Sequence, residues 1–346
     1  MSRGWLKKHR LVLAGIELEL EPHVPPGRGA HAQPTMSFSL LAGALPMMTS
    51  WLARSLRRRE TRTIGLIVPD NSNPFFADVA RAIEDAGFAD GYSVILCNSD
   101  RSETKESAYV DVLLAKQVDG LILISSSDRL SRLPHILAAH VPVVVVGRDL
   151  GDRPVSQVLV DNEQGGYLAG RYLVELGHRR IACIAGPSDA TASWGRIVGF
   201  QRALEEAGLR LAPEAIVRGD FRYSGGEAAI RELLARDAAI TAVFAANDLM
   251  AIGALSALLR MGHSVPGDVS VIGFDNILQA SAIVPALTTV AQPIVEIGRV
   301  SVRLLLDQIA ERETRPARVV LPATLIERES CRPIARAEQA SPPGLE

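Results

Sequence analysis

Two sets of side chains in this sequence have the types and spacing to do chemistry. The first is basic: Arg54, Arg57, Arg58, Arg59 and Arg62 stand close together, opposed only by Glu60. Clustered guanidinium groups attract phosphate, so nucleic acid is one partner that fits them; a solvated linker is the other. The second set is polar and aromatic and recurs just after short apolar runs. Asn71, Asn73, Phe75 and Phe76 follow TIGLIV, and Arg196 follows RIACIAG in a helix-opening segment. Asn247 and Asp248 follow AVFAA, and Asp275 and Asn276 close VSVIGF. A carboxylate accepts from two hydroxyls at once, a guanidinium offers forked donors, and an aromatic face covers C–H surface. Together these groups suit a sugar or a similar polyol. Phe221, in GDFRYSGG, fits either a second aromatic wall or ordinary core packing. Any Asn or Asp after a strand also fits a helix N-cap, the preferred reading for Asn73, Asp161 and Asp248.

Other chemistries find no support. The sequence holds no GxSxG, HExxH or GxxxxGK[ST], and no GxGxxG after a strand, so no catalytic residue is assigned and the expectation is a protein that is not an enzyme. His135, His140, His178 and His263 sit near helix ends without a Cys or carboxylate cluster and read as caps or surface residues, so neither a metal site nor a cofactor is implied. Cys97, Cys183 and Cys331 are widely separated and read as free thiols of a reducing cytoplasm. The formal net charge is -2, so nucleic-acid affinity must come from a local patch. No apolar run approaches the roughly 18–20 residues that span a bilayer. Lys7, Lys8 and Arg10 precede LVLAGIELEL, but Glu17, Glu19 and Glu21 interrupt that stretch, so export and a membrane are not expected and the location is cytoplasmic.

The elements that must position these groups begin at Thr63. Before it, Pro22, Pro25, Pro26, Gly27, Gly29 and Pro34 break any helix, and residues 1–51 read as an irregular segment. After it, strand candidates TIGLIV, YSVILC, GLILIS, PVVVVG, VLV, RIACIAG, AVFAAN, VSVIGF and LTTVAQ alternate with helical patterns such as FFADVARAIEDAGF, GYLAGRYLVELG and DLMAIGALSALLRMG. Continuous β-branched runs fit strands covered on both faces, hence a parallel sheet with crossover helices. The strands are too many for one open sheet, and the run breaks near Val160 and Asp161. The fold class expected is α/β: two doubly wound parallel-sheet subdomains around a cleft, with ligands at the carboxyl ends of the strands. DAGF, ELGH, EAGL and RMGH each place Gly where a helix C-cap needs a left-handed residue.

These motifs, in this order, resemble the lactose-repressor (LacI) family of bacterial transcription regulators, and within it the ribose and purine repressor branch. The matching stretches run from Leu52 to about Glu329 and include LARSLRRRETRTIGLIVPDNSNPFF, VDNEQGGYLAGRYLVELGHRRIACIAG, RIVGFQRALEEAG, FAANDLMAIGAL and VPGDVSVIGFDN. The resemblance implies a periplasmic-binding-protein-like sensor, a homodimer, and operator-DNA binding governed by a small effector. It implies one subdomain of residues 63–160 plus 290–320, another of 161–289 plus 321–331, and a tail of 332–346. Effector contacts carried over by motif are Phe75, Phe76, Arg196, Asn247 and Asp275, with Phe221, Gln292 and Arg148; Gly147 stands where many relatives carry Asp before that arginine. Residues 52–62 correspond to a hinge helix that enters the minor groove, with Leu56 as its wedge and Ala53, Arg54 and Arg57 beside it. The helix-turn-helix that should precede the hinge does not match residues 1–51, where MMTSW replaces the expected GYRPNA; an altered reading frame or a wrongly chosen start would give such a segment. The alternative is a cytoplasmic small-molecule-binding protein of the same fold without specific DNA binding.

Overall fold

The computed structural model describes residues 9–13, 16–20, 60–124, 132–310 and 315–334. The chain divides into two compact units, Met1–Leu52 and Ala53–Glu346. In the first, β1 (His9–Leu13) and β2 (Ile16–Leu20) pair antiparallel, His9 opposite Leu20 and Leu13 opposite Ile16. Residues 9–13 and 16–20 are thus paired strands within the segment expected to be irregular. IELEL alternates apolar and acidic residues with the period of a strand, a signal obscured by comparing the stretch with a leader. The hinge positions Ala53, Arg54, Leu56 and Arg57 lie outside the described residues.

The second unit is built on two six-stranded sheets. The first contains β3 (Thr63–Val68), β4 (Ser93–Asn98), β5 (Gly120–Ile124), β6 (Val143–Val146), β7 (Ser156–Val160) and β13 (Arg318–Leu321), in the order β13-β7-β6-β5-β3-β4, with every neighbouring pair parallel. The second contains β8 (Ile181–Ala185), β9 (Ile216–Arg218), β10 (Ala242–Ala245), β11 (Ser270–Asp275), β12 (Thr288–Ala291) and β14 (Thr324–Ile326), in the order β14-β12-β11-β10-β8-β9. Only the β12–β14 pair of that sheet is antiparallel. Fully buried runs such as GLILI of β5, VVVV of β6 and IACIA of β8 explain the parallel pairing, because helices cover both faces and leave no room for alternation.

The chain passes from the first sheet to the second after β7, returns after β12 into the helix Ile294–Ile309, which packs on β5, β6 and β7, and crosses again between β13 and β14. All three crossings pass the β13/β7 edge of one sheet and the β14/β12 edge of the other, the first through the helix Asn162–Glu175, which packs on β12 and β14 before the chain reaches β8. The opposite edges, β3/β4 and β8/β9, are joined by no crossing strand.

Helices follow the strands: α1 (Pro74–Ala89), α2 (Glu103–Ala115), α3 (Leu133–Ala138), α4 (Asn162–Glu175), α5 (Thr191–Glu206), α6 (Tyr223–Arg236), α7 (Asp248–Arg260), α8 (Leu278–Ala282) and α9 (Ile294–Ile309). Gly177, Gly208 and Gly262 end helices with φ of 88°, 72° and 88°, as ELGH, EAGL and RMGH suggest. DAGF differs. Gly87 is a buried residue inside α1, which continues to Ala89, and Gly91 takes the positive φ. Helices α4 and α5 approach so closely that a Cβ on Gly199 would meet the Glu163 carbonyl oxygen at 1.8 Å and one on Gly166 the Arg196 carbonyl at 1.9 Å. This contact fixes the start of α4 against the start of α5, and both ends carry site residues.

Candidate functional site

The carboxyl ends of the two sheets face each other across a cleft holding about 720 Å³ of space not filled by atoms, its mouth included. From the first sheet and its helices the lining comes from Asn73, Phe75, Phe76 and Val79, from the strand ends Ile124, Val146, Gly147, Val158 and Val160, and from Ile297. The second contributes Asn162, Ala190, Ala192, Arg196, Phe221, Asn247, Asp275 and Gln292. One wall is therefore mainly apolar, and the hydrogen-bonding side chains gather on the other.

Local sequence explains the apolar wall. Asn73 caps α1, its side-chain oxygen accepting from the Phe75 N–H, and Pro74 starts the first turn with φ already suited to a helix. The chain is thus turned sharply after β3, and Phe75 and Phe76 meet edge to face at the cleft with their ring centroids 5.2 Å apart.

The polar wall is organised by Arg196, which is 5% exposed. Its guanidinium carbon lies 3.7 Å from the centroid of the Phe274 ring. Its Nε donates to Asn162 Oδ1 at 2.8 Å, and its Nη1 donates to the Ala246 carbonyl at 2.6 Å and to Asp275 Oδ1 at 3.4 Å. Gln292 Nε2 also donates to Asp275 Oδ1, at 2.7 Å. Burial pushes the Asp275 carboxyl up, opposed chiefly by the Arg196 charge; burial pulls Arg196 down, opposed by Asp275 and Asp248.

Asp248 does not serve as the expected cap. Asn247 is the N-cap of α7, accepting from the Met250 N–H, while its Nδ2 donates to the Phe221 carbonyl. Asp248 is fully buried one residue on, where Oδ1 contacts the Thr289 hydroxyl at 2.5 Å and Oδ2 accepts from the Ile277 N–H at 2.9 Å. Burial raises its carboxyl, and the neighbouring Asp275 raises it further. Asp275 has a guanidinium in contact, whereas Asp248 meets the Thr289 hydroxyl and the Ile277 N–H, so burial pushes the Asp248 carboxyl further up than that of Asp275. The corner it supports is unusual: Asp275 and Asn276 have φ of 119° and 61°, and Arg328 Nη2 holds Asn276 Oδ1 at 2.7 Å. Asp161 does cap α4, accepting from the Gln164 N–H.

The structure therefore brings Phe75, Phe76, Arg196, Asn247, Asp275, Phe221 and Gln292 to one cleft. It does not bring Arg148 there. That side chain is buried and absent from the lining, and its charge partly offsets the upward push of burial on Glu106. Gly147, with φ of 80°, takes the lining position before it. Asn162 was missed by sequence reasoning because only its contact with Arg196 identifies it; the VDN triplet alone reads as a cap and its neighbours. His178 is neither a cap nor a surface residue: it is buried, between Thr241 Oγ1 at 3.0 Å and the Arg332 carbonyl at 3.2 Å. Among the described residues no cluster of His, Cys, Asp and Glu could hold a metal ion, and no helix is long and apolar enough to cross a membrane.

Residues 61–329 match the family described as periplasmic binding proteins and sugar binding domain of LacI family. The chain belongs to the LacI family. A LacI-family relative, the HTH-type transcriptional repressor PurR of Erwinia tasmaniensis, is 42% identical over 286 residues, covering 81% of this chain and 83% of its own. The PurR repressor of Proteus mirabilis is 40% identical over the same shares. A transcriptional regulator CelR–cellobiose complex has a TM-score of 0.73 at 38% identity, covering 84% of this chain and 92% of the other. A LacI family regulator from Enterococcus faecium with bound ribose has a TM-score of 0.71 at 36% identity, covering 79% and 100%. The chain is thus an effector-responsive transcriptional regulator, and a binding protein without a regulatory role is not favoured.

Proposed function

We propose that this regulator binds a neutral sugar or sugar-like effector between its lobes and thereby controls its affinity for operator DNA. The observation that carries the proposal is the division of the cleft into a hydrogen-bonding wall and an apolar wall. Asp275, Arg196, Asn247, Gln292 and Asn162 offer acceptors and donors to one edge of a ligand, while Phe75, Phe76, Val79 and Ile297 cover a C–H face. Charge balance supports neutrality: among the described residues, the single lining arginine is already paired with the single lining aspartate.

The lobes are the two sheets with their helices, close to residues 63–160 plus 290–320 and residues 161–289 plus 321–331, except that β12 and Gln292 go with the second lobe and Leu321 ends β13 of the first. An effector that touches both favours the closed arrangement by the difference in its affinity for the two states. A homodimer would carry that change to the hinge at Ala53, Arg54, Leu56 and Arg57, and through it to DNA. No catalytic step is required of any of these groups, and the site of action is the cytoplasm.

A thermal-shift screen with D-ribose, D-glucose, cellobiose and hypoxanthine tests the proposal. A sugar present at a hundredfold its Kd should stabilise the chain by about 2.7 kcal/mol. Asp275→Asn, which keeps an acceptor for Arg196 and Gln292, should remove most of that shift. Stabilisation by hypoxanthine and by no sugar would overturn the effector class. Operator retention that is independent of sequence would overturn the regulatory half.

A further inference from the structure

The edge of the cleft opposite the three crossings is bridged by side chains that belong to no effector contact described above. Arg101, in the turn between β4 and α2, extends from the first lobe and donates through Nη1 to the Asp220 carbonyl of the second at 3.1 Å. Its guanidinium carbon also stands 5.6 Å from the centroid of the Phe221 ring. Beside it, Arg222 Nη2 of the second lobe lies 3.6 Å from Asp70 Oδ2 of the first. Both first-lobe residues are held in place locally. Asp70 accepts from the Ser72 N–H and hydroxyl, and the Arg101 N–H donates to the Pro69 carbonyl with Arg101 at φ 58°.

Phe221 connects these contacts to the cleft. It has a left-handed backbone (φ 64°), its carbonyl accepts from Asn247 Nδ2, and its ring lies against Gly186, where a Cβ would approach it to 2.3 Å. Gly186 and Arg101 therefore both constrain a ring that lines the cleft.

We propose that Arg101, assisted by the Asp70–Arg222 pair, is a latch on the free edge of the cleft that sets the resting closure of the two lobes and positions Phe221 against the effector. Its part in effector binding rests on the function proposed above; its part in closure does not. The topology gives the latch leverage, because a rotation about the crossing edge moves the β3/β4 and β8/β9 edges furthest. The latch is also finely balanced. Closure buries Arg101 Nε and Nη2 without a hydrogen-bond partner among the described residues, a desolvation cost that offsets the Asp220 bond, the ring contact and the field of Asp70. Opening returns those two donors to water, so small changes at this edge should move the equilibrium appreciably.

The test measures lobe separation directly in the full chain. Spin labels at Thr104→Cys on α2 and Ala228→Cys on α6, both exposed positions, report the free-edge distance by pulsed electron resonance in a Cys331→Ala background. Arg101→Ala should lengthen and broaden the distance distribution, Arg101→Lys should restore part of it, and Arg222→Ala should give a smaller shift of the same sign. Where D-ribose or cellobiose binds the parent, Arg101→Ala should weaken it by roughly threefold to tenfold, with partial rescue by lysine. Parent-like distances in both Arg101→Ala and the Arg101→Ala/Arg222→Ala chain would overturn the latch. Arg222 is exposed, so its variant reports closure even if loss of Arg101 unfolds the chain. Lengthened distances in a chain that binds neither sugar would support the latch and count against the effector class alone.

Discussion

Replacing Arg196 by methionine isolates the charge that organises the polar wall. Methionine keeps much of the aliphatic volume against Phe274 but removes the bonds to Asn162, Ala246 and Asp275. Asp275, 3% exposed, would then keep only Gln292 among these donors. Removing one partner of a buried ion pair costs about 3–5 kcal/mol, because the other charge is stranded. For a unit of this size that corresponds to a fall in Tm of roughly 5–8 °C. The loss should depend on pH. Without Arg196 the folded-state pKa of Asp275 rises further above its unfolded value, so protonation relieves the stranded charge. The penalty should be small near pH 5 and grow as pH rises through the folded pKa toward 8. Urea unfolding of the parent, Arg196→Met, Asp275→Asn and the double variant completes the cycle. The double variant should be more stable than Arg196→Met alone, with a coupling of at least about 1 kcal/mol. A single variant within about 1 kcal/mol of the parent, or strictly additive losses, would refute the account of Asp275 as a carboxylate held by Arg196.

Gly199→Ala should destabilise the chain by about 2–3 kcal/mol in urea unfolding, since its Cβ would be driven into the Glu163 carbonyl of α4. Gly262→Ala, at φ 88° with open space around it, should cost only about 1 kcal/mol. Burial holds His178 down to about 4, below its usual value near 6.5. The unfolded chain therefore binds more protons between those values, and stability should fall as pH is lowered from about 6.5 to about 4. His178→Gln should show a shallower fall over that window in paired urea titrations; identical slopes would contradict burial of a neutral imidazole.

The two-sheet architecture was legible because β-branched runs such as VVVV and IACIA need no tertiary knowledge to be read as doubly covered strands. Short edge strands were not. Ile216–Arg218 and Thr324–Ile326 are three residues each, too short to show a period, and Arg318–Leu321 pairs only through its register with Ser156–Val160. Within the site, aromatic and charged residues after strands could be picked out singly, because a strand's carboxyl end is where a parallel sheet opens. The exchange of roles between Asn247 and Asp248 could not. Either residue suits the first turn of a helix, and only burial against Thr289 decides which one leaves the cap. Arg148 is a related case: a motif gives a position along the chain, and it is the neighbouring Gly147 that lines the cleft.

The corner at Asp275 and Asn276 bears on how this sensor can change. Two successive residues that are not glycine hold positive φ there, at roughly 1–3 kcal/mol each, and the first carries the cleft carboxylate. Glycine in place of Asn276 would relax the backbone and give a sturdier protein, but it would remove the Arg328 tether and let the carboxylate wander. Selection for thermal robustness and selection for ligand discrimination therefore pull this one peptide in opposite directions. Variants that acquire a new effector should arise more readily from a stabilised parent than from a relaxed corner.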